Sequence, residues 1–520
     1  MNCPVSRRTL LLGVASIASM SSFPSLAKNV SQPPNIKCIL PLEPRPIKKR
    51  IKHYFAFDTG IYHGNKLQNI KWVMGNIVKD QHNPLFIDGI NETPQKRWEA
   101  RIDNGYPNVI LDNKGIYHCY YTLFVIDPSS TNTPKSQRKD KTYSTAGRRT
   151  GLAYARSYDG IHWEKPILNL VEFNGSKENN LLMLDVAGTG VFYEPEEKDK
   201  NKKFKLITRK EDNKKLAVAF SADGIHFTEL LEWRENSPHL GADCHNSVFK
   251  DQRTNQYILT SRLWSNNMRV VALSRSNDFI HWSPLQEILR GQGFEEQIYS
   301  MPVFEYEDIY FGLASVYQQG DNSAEDFDTL NLELYWSINL INWNKAVPRN
   351  NVFLPAGEGR NKFIDGEFDS AVIFASNLTA GENRLYYMGG KGRHRSWRET
   401  GLGLAYIDKN RLAGITAQDR HQPFSFTTQA FNFFDEELYI WLETTSESKI
   451  SIYLNSAEYK TIPATIIDLG NGKFKVNWDN LSLVTLTKNT AISLTVVANN
   501  LTFYGISGTF EMDESRYWKG

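Results

Sequence analysis

One seven-residue pattern recurs along the chain, and any fold has to accommodate every copy. Ser157-Tyr158-Asp159-Gly160-Ile161-His162-Trp163 is followed by the near copy Ser221-Ala222-Asp223-Gly224-Ile225-His226-Phe227. Ser276-Asn277-Asp278-Phe279-Ile280-His281-Trp282 and Ser337-Ile338-Asn339-Leu340-Ile341-Asn342-Trp343 are weaker copies. The leading serines lie 64, 55 and 61 residues apart. Such self-similarity marks a chain of like units, each burying its apolar face on its neighbours. Each copy follows a strand-like run: Thr150–Arg156, Lys215–Phe220, Arg269–Arg275 and Leu330–Trp336. The heptad therefore reads as a hairpin between the third and fourth strands of a unit. Asp-Gly supplies the positive φ the turn needs, and the Trp or Phe packs between neighbouring units.

Further strand-like runs complete each unit. They are Tyr106–Leu111 and Gly115–Leu123, Val191–Tyr193 and Phe204–Thr208, Ser247–Phe249 and Tyr257–Thr260, then Met301–Phe304 and Ile309–Leu313. A fifth unit has Ala371–Phe374, Arg384–Met388 and Gly401–Tyr406, and ends in Asp408–Gly414 with no heptad. Repeated antiparallel sheets arranged radially form a propeller; a stacked sandwich of the same strands is the alternative. Beyond Pro423 the alternation takes period two with polar turns, in Leu438–Leu442, Lys449–Tyr453, Lys473–Trp478, Ala491–Val497 and Leu501–Gly505. That pattern predicts a separate β-sandwich. The expected fold is all-β: a five-bladed β-propeller over 98–420, then a β-sandwich over 421–520, with 28–97 as lead-in and blade-closing strands.

Residues 1–27 read as an export signal of twin-arginine type. Ser6-Arg7-Arg8-Thr9 leads into an apolar stretch, and Ser25-Leu26-Ala27 offers a cleavage site. An ordinary secretory signal that happens to hold two arginines is the alternative. The mature protein is expected in the periplasm or outside the cell. Removing Cys3 with the signal leaves Cys38, Cys119 and Cys244, which allow one disulfide without choosing it. Lys and Arg total 60 against 58 for Asp and Glu, and no basic fold motif appears, so no nucleic-acid partner is expected. Beyond the N-terminus no stretch is long and apolar enough for a membrane helix.

The heptads, the closing run Gly401–Asp408 and the C-terminal sandwich together resemble the five-bladed β-propeller glycoside hydrolases of families 32 and 43, the invertase and arabinanase types, over residues 50–510. The order of propeller and sandwich is similar to family 32 in particular. The resemblance implies a glycosidase with a carbohydrate substrate. The chain departs from the invertase pattern: it has no Trp-x-Asn-Asp-Pro-Asn-Gly, no Arg-Asp-Pro and no Glu-Cys pair. Site residues are therefore argued from position. The heptad is also similar to the Asp-box of sialidases, Ser-x-Asp-x-Gly-x-x-Trp, one residue short between Asp and Gly. Sialidases use six blades and an arginine triad, whereas this chain has five units.

Glycoside hydrolysis needs two carboxyls across the scissile bond, one holding a proton and the other ionised. In a propeller the loops entering each blade's first strand converge on one end of the axis, so acids just before those strands are the candidates. Blade one offers Glu99, Arg101 and Asp103. Asp103 stands where the resembling families place their nucleophile or general base, although Asp103-Asn104-Gly105 also reads as a simple turn. Blade three offers Asp243, Cys244 and His245, with Asp243 assisting and His245 donating to a hydroxyl; two such groups do not make a metal site. Blade four offers Glu296 and Tyr299. Blade five offers Glu367 and Asp369, two apart and on one side if extended, as the general acid, with Glu296 in reserve. Lys391–Arg398 is a basic run in which Arg393, His394 and Trp397 suit an anionic sugar, the cations pairing with carboxylate or sulfate and the Trp stacking on a ring. Arg262 joins Arg101, His245, Arg393 and His394 as substrate-binding.

The expectation is an exported glycosidase acting on a poly- or oligosaccharide, sulfated or uronic, by paired carboxylates in the central pocket, with no cofactor or metal. The alternatives are a non-catalytic carbohydrate-binding propeller, a sialidase-like enzyme or a glycoside phosphorylase.

Overall fold

Five antiparallel sheets follow one another along the chain, each starting at its innermost strand. The computed structural model describes residues 51–64, 66–233, 242–359, 366–379, 382–456 and 461–512. The export signal and the stretch 28–50, with Cys38, lie outside these. Blade 1 orders Asn108–Leu111, Tyr117–Ile126, Arg149–Ser157 and Trp163–Glu164. Blade 2 orders Val186–Tyr193, Phe204–Lys210, Leu216–Ser221 and Leu231–Glu232. Blade 3 orders Ser247–Asp251, Gln256–Ser265, Met268–Ser276 and Gln286–Arg290. In blade 4 the inner position is shared by Glu296–Ser300 and Val303–Tyr306, followed by Ile309–Gln318, Thr329–Ser337 and Asn344–Lys345. Blade 5 orders Val372–Ala375, Arg384–Lys391 and Glu399–Tyr406. Its outer strand comes from ahead of blade 1: Val78–Lys79 pairs with Ala405 and Tyr406, and Phe86–Ile87 with Leu402 and Gly401. The chain is a five-bladed propeller whose last blade is completed by two short strands that precede blade 1.

The heptads are one bonding unit repeated four times. In blade 1 the Ser157 hydroxyl accepts from Gly160 N at 2.9 Å, and Asp159 Oδ1 accepts from Ile161 N and His162 N at 2.8 Å. The same bonds recur at Ser221, Ser276 and Ser337, with the Asn339 amide oxygen replacing the carboxylate in the last. The fourth position always has positive φ: 77° at Gly160 and Gly224, 66° at Phe279 and 67° at Leu340. A non-glycine residue there costs about 1–3 kcal/mol. Burial offsets it, since Phe279 and Leu340 are buried in the core. The heptads also join blades. The Tyr120 hydroxyl of blade 1 donates to Gly224 O of blade 2 at 2.9 Å, and Tyr386 of blade 5 donates to Gly160 O of blade 1 at 3.0 Å.

Near the axis the inner strands are laced around the ring. Asn108 Nδ2 of blade 1 donates to Thr189 O of blade 2 at 2.8 Å, and Asn246 of blade 3 donates to Gly188 O of blade 2 at 2.8 Å. The Thr260 hydroxyl reaches Met301 O at 2.8 Å, linking blades 3 and 4, and Ser315 reaches Ile373 O at 2.9 Å, linking 4 and 5. Val109 N donates to the Ser376 hydroxyl at 2.9 Å and closes the circle. Each bond pairs a buried side chain of one blade with a backbone group of the next.

Among the described residues a sixth sheet, of nine strands, makes the C-terminal β domain. Its two long strands, Phe431–Ser456 and Ile492–Met512, run in opposite senses, from Phe431 beside Met512 to Ser456 beside Ile492. Lys52–Phe55 and Ile70–Met74 add to this sheet against Ile492–Met512 and Ala413–Ala417. Its inward side chains, Leu438, Ile440, Leu494, Val496 and Phe503 among them, meet in one apolar core. Cys119 and Cys244 are buried free thiols and do not pair with each other. Among the described residues no helix is long and apolar enough to cross a membrane.

A methyl group on Gly160 would run into the Arg384 guanidinium and the Tyr386 hydroxyl, at a positive φ. Gly160→Ala is expected to destabilise the protein by about 2–4 kcal/mol, read as a lower midpoint of chemical denaturation.

Candidate active site

The loop before the inner strand of blade 1 is held in a conformation most residues avoid. Asp103 (φ 60°), Gly105 (φ 69°) and Tyr106 (φ 43°) all lie in the left-handed region. Asp88 fixes the loop by accepting from Ile102 N and Thr400 N, and the Thr400 hydroxyl donates to Asp103 O at 2.8 Å. The stretch is thus the turn its composition suggests, bound at the same time to the third strand of blade 5. Burial pushes Asp88 up to about 6, against the pull of those two N–H groups.

The turn sets the Asp103 carboxylate among arginines. Arg398 bonds it directly, and Arg101 Nη2 lies 3.0 Å away. Burial alone would raise the Asp103 carboxyl, but Arg398, Arg101 and Arg148 together hold it well below the usual carboxylate range. Arg101 and Arg148 also flank the buried Asp127, at 3.8 and 3.7 Å, and both lie over the Tyr143 ring. Arg398 Nη2 also donates to Asn104 Oδ1 at 2.7 Å. The Asn104 amide in turn donates to the Tyr106 and Tyr299 hydroxyls at 2.6 and 3.3 Å.

Tyr299 joins this group to a second carboxylate. Its hydroxyl meets His394 Nε2 at 3.0 Å, and the Arg262 guanidinium stacks on its ring at 4.1 Å. Arg262 pairs with Asp243, which also binds Arg209 at 2.6 Å and accepts from the Trp264 indole N–H at 3.2 Å. Burial opposes ionisation of Asp243 too, and Arg262 and Arg209 outweigh it, so its carboxyl is depressed as well. Burial, then Arg398, pulls His394 well below its ordinary value, so it is neutral at pH 7. Arginines outnumber carboxylates here. Among the described residues the Nε and Nη1 atoms of Arg101, Arg262 and Arg398 are buried without a hydrogen-bond partner. Buried N–H groups left unpaired are costly, and an oxyanion would satisfy them.

The expected site residues divide. Asp103, Arg101, Asp243, Arg262, Tyr299 and His394 come together. Glu99 does not: it is sealed, bound by Lys165 at 2.6 Å and by Tyr121 and Asn180. His245 is buried beside the Tyr106 ring, its two ring nitrogens without a hydrogen-bond partner among the described residues, and burial lowers it to about 3. Trp397 is 6% exposed, its N–H on Lys141 O and its ring against Tyr143, so it supports the 127–149 loop and offers no stacking face. The Arg393 guanidinium lies over Phe327. Glu296 pairs with Lys345 of blade 4's outer strand. Glu367 and Asp369 do share one side, since a Cβ on Gly357 would touch both. Asp369 is tied to Lys79 at 2.6 Å and to the Tyr387 hydroxyl at 2.8 Å, within the body of blade 5, whereas Glu367 is exposed.

Residues the sequence argument passed over are Arg398, Arg148, Arg209, Asn104 and Trp264. Arg398 ends the basic run already singled out, and Arg148 stands next to Arg149, so charge density was the usable signal. A cavity of 490 Å³ lies elsewhere. It is lined by the far ends of all five inner strands, at Leu111, Phe192, Phe249, Phe304 and Leu378. Its charged groups are paired, Lys250 with Glu194, Asp112 with His118 and Glu305 with Arg253. A pocket without convergent polar groups lacks the means for chemistry, so the arginine-lined end is the better candidate.

Because Asp103 and Asp243 are depressed in the folded state, their contribution is present above the unfolded carboxylate value of about 4 and is lost as pH falls below it. Asp103→Asn leaves Arg101 and Arg398 unbalanced, with an expected cost of about 3–5 kcal/mol at neutral pH. Denaturation midpoints at pH 7 and pH 3 should show a wide gap between variant and wild type that narrows in acid.

No family model matches the chain, and no curated protein matches it. Among solved structures it is similar to a glycosyl hydrolase from Bacteroides ovatus, at 15% identity over 65% of this chain and 95% of that one, with a TM-score of 0.44. It is also similar to a β-1,2-mannobiose phosphorylase from Listeria innocua, at 14% identity, 64% and 97% coverage and a TM-score of 0.41. A fructofuranosidase from Schwanniomyces occidentalis aligns over 78% of this chain and 94% of that one, at 9% identity and a TM-score of 0.36. Likeness at this level does not extend to reaction or substrate.

Proposed function

We propose that the chain is an exported glycosidase that cleaves a poly- or oligosaccharide carrying carboxylate or sulfate groups, at the arginine-lined end of the propeller axis. The observation that carries this reading is the excess of buried arginine N–H groups around Asp103 and Asp243. A sugar carboxylate or sulfate would accept from the unpaired N–H groups of Arg101 and Arg398. Asp103, held ionised by its arginines, acts as general base or nucleophile. Asp243 assists by positioning Arg262. The general acid is Glu367, the exposed carboxyl at the same end of the axis, since Asp369 is engaged by Lys79 and Tyr387.

A second reading draws on the same arginines. In a glycoside phosphorylase inorganic phosphate would occupy the cationic site and attack the sugar, so one carboxyl suffices in place of a pair. That carboxyl must give the leaving oxygen its proton; Asp103 and Asp243 are both held ionised, so Glu367 would be the donor in this reading too.

Turnover should be measured on a panel of neutral, uronic and sulfated glycans, with and without phosphate. Cleavage of charged glycans independent of phosphate is expected, and strict dependence on phosphate would favour phosphorolysis. Asp103→Asn is expected to lower kcat by about 10²–10⁴-fold in protein shown to be folded by circular dichroism. Arg398→Gln should raise KM for the charged glycan more than for a neutral one. Failure to cleave any member of the panel would leave the binding-module alternative standing.

A further inference from the structure

Trp264 is the only exposed tryptophan among the described residues, at 46%. An exposed indole needs no explanation by itself, but this one is fixed at three points. It is the penultimate residue of Gln256–Ser265, two positions before the two-residue turn Asn266-Asn267, where both φ angles are positive (51° and 59°). Such a turn locks hairpin register. Directly across the pair stands Arg269, whose guanidinium stacks on the indole at 4.4 Å. The indole N–H donates to Asp243 Oδ2 at 3.2 Å. Arg269 is itself anchored, donating to Gln297 Oε1 at 3.0 Å, while the Gln297 amide donates to Phe294 O at 2.8 Å. Phe294 is 53% exposed and precedes the inner strand of blade 4, at the same end of the axis.

We propose that Trp264, flanked by Phe294, is a stacking platform for a second sugar ring beside Asp243, so that the site takes at least a disaccharide. The proposal rests on the carbohydrate reading above. An indole held at its N–H edge and on one face has its orientation set before binding, so little rotamer freedom is lost when a ring lies on its open surface. The apolar C–H face of a sugar suits an aromatic plane whose polar edge is already satisfied. The arginines around Asp103 would then take the charged ring, and the blade 3 and 4 rim its neighbour.

Trp264→Phe and Trp264→Ala both lose the N–H bond to Asp243, and only the second loses the ring, so comparing them isolates stacking. The probes are a dimer-to-hexamer ladder of the glycan that turns over best, and the methyl glycoside of its charged residue. On the ladder, KM for Trp264→Ala is expected to be about 5- to 10-fold above that of Trp264→Phe; on the methyl glycoside the two should match. Melting temperatures of both variants check that each is folded. Equal KM values for the two variants on the ladder would overturn the platform while leaving the glycosidase reading intact. If wild type turns over no glycan, that reading has failed and the platform falls with it.

Discussion

The seam between blades 5 and 1 carries the structure. A propeller must close, because an open ring leaves the faces of its first and last sheets without a partner. Here closure uses strands from ahead of blade 1, with Val78–Lys79 and Phe86–Ile87 paired to Glu399–Tyr406. Asp88, just beyond the second of these, ties Ile102 N to Thr400 N across the same seam. Tyr386 grips the blade 1 heptad through Gly160 O, and Val109 N meets Ser376. The Asp103 turn is assembled by these contacts. Closing the ring and building the candidate site are one event.

Electrostatics explain why the seam is also chemically special. Sequestering Arg398 and Arg101 is unfavourable unless each finds a counter-charge. Asp103 supplies it, and in doing so is kept ionised. Its charge is thus structural and functional together, which couples any change there to stability. The unpaired guanidinium atoms that remain are the feature a satisfied core would not retain, and they distinguish this end of the axis from the cavity at the other, whose charged groups are paired.

Exposure sorts the aromatics in the same way. Trp397 looked like a sugar platform because it lies in a basic run, yet the 127–149 loop covers it. Trp264 lies in no such run and yet stands at the rim, aligned by Asp243 and Arg269. A side chain's accessibility depends on what the rest of the chain lays over it, and nearest neighbours in sequence do not report that.

Much of the architecture was already legible in the chain. The heptad's own bonds join residues two or three apart, so its spacing marks four of the five blades, places their third strands and helps locate the loops where Asp103, Asp243 and Tyr299 lie. What the tertiary structure decided is which of those residues meet. Arg398 and Asp103 are separated by 295 positions, and only closure of the ring makes them partners. Lys79 captures Asp369 because its strand completes blade 5, a pairing that no local pattern encodes. Local hydrogen bonding repeats and so can be read along the sequence, whereas burial and charge pairing are set by contacts between distant segments and exist only once the ring has closed.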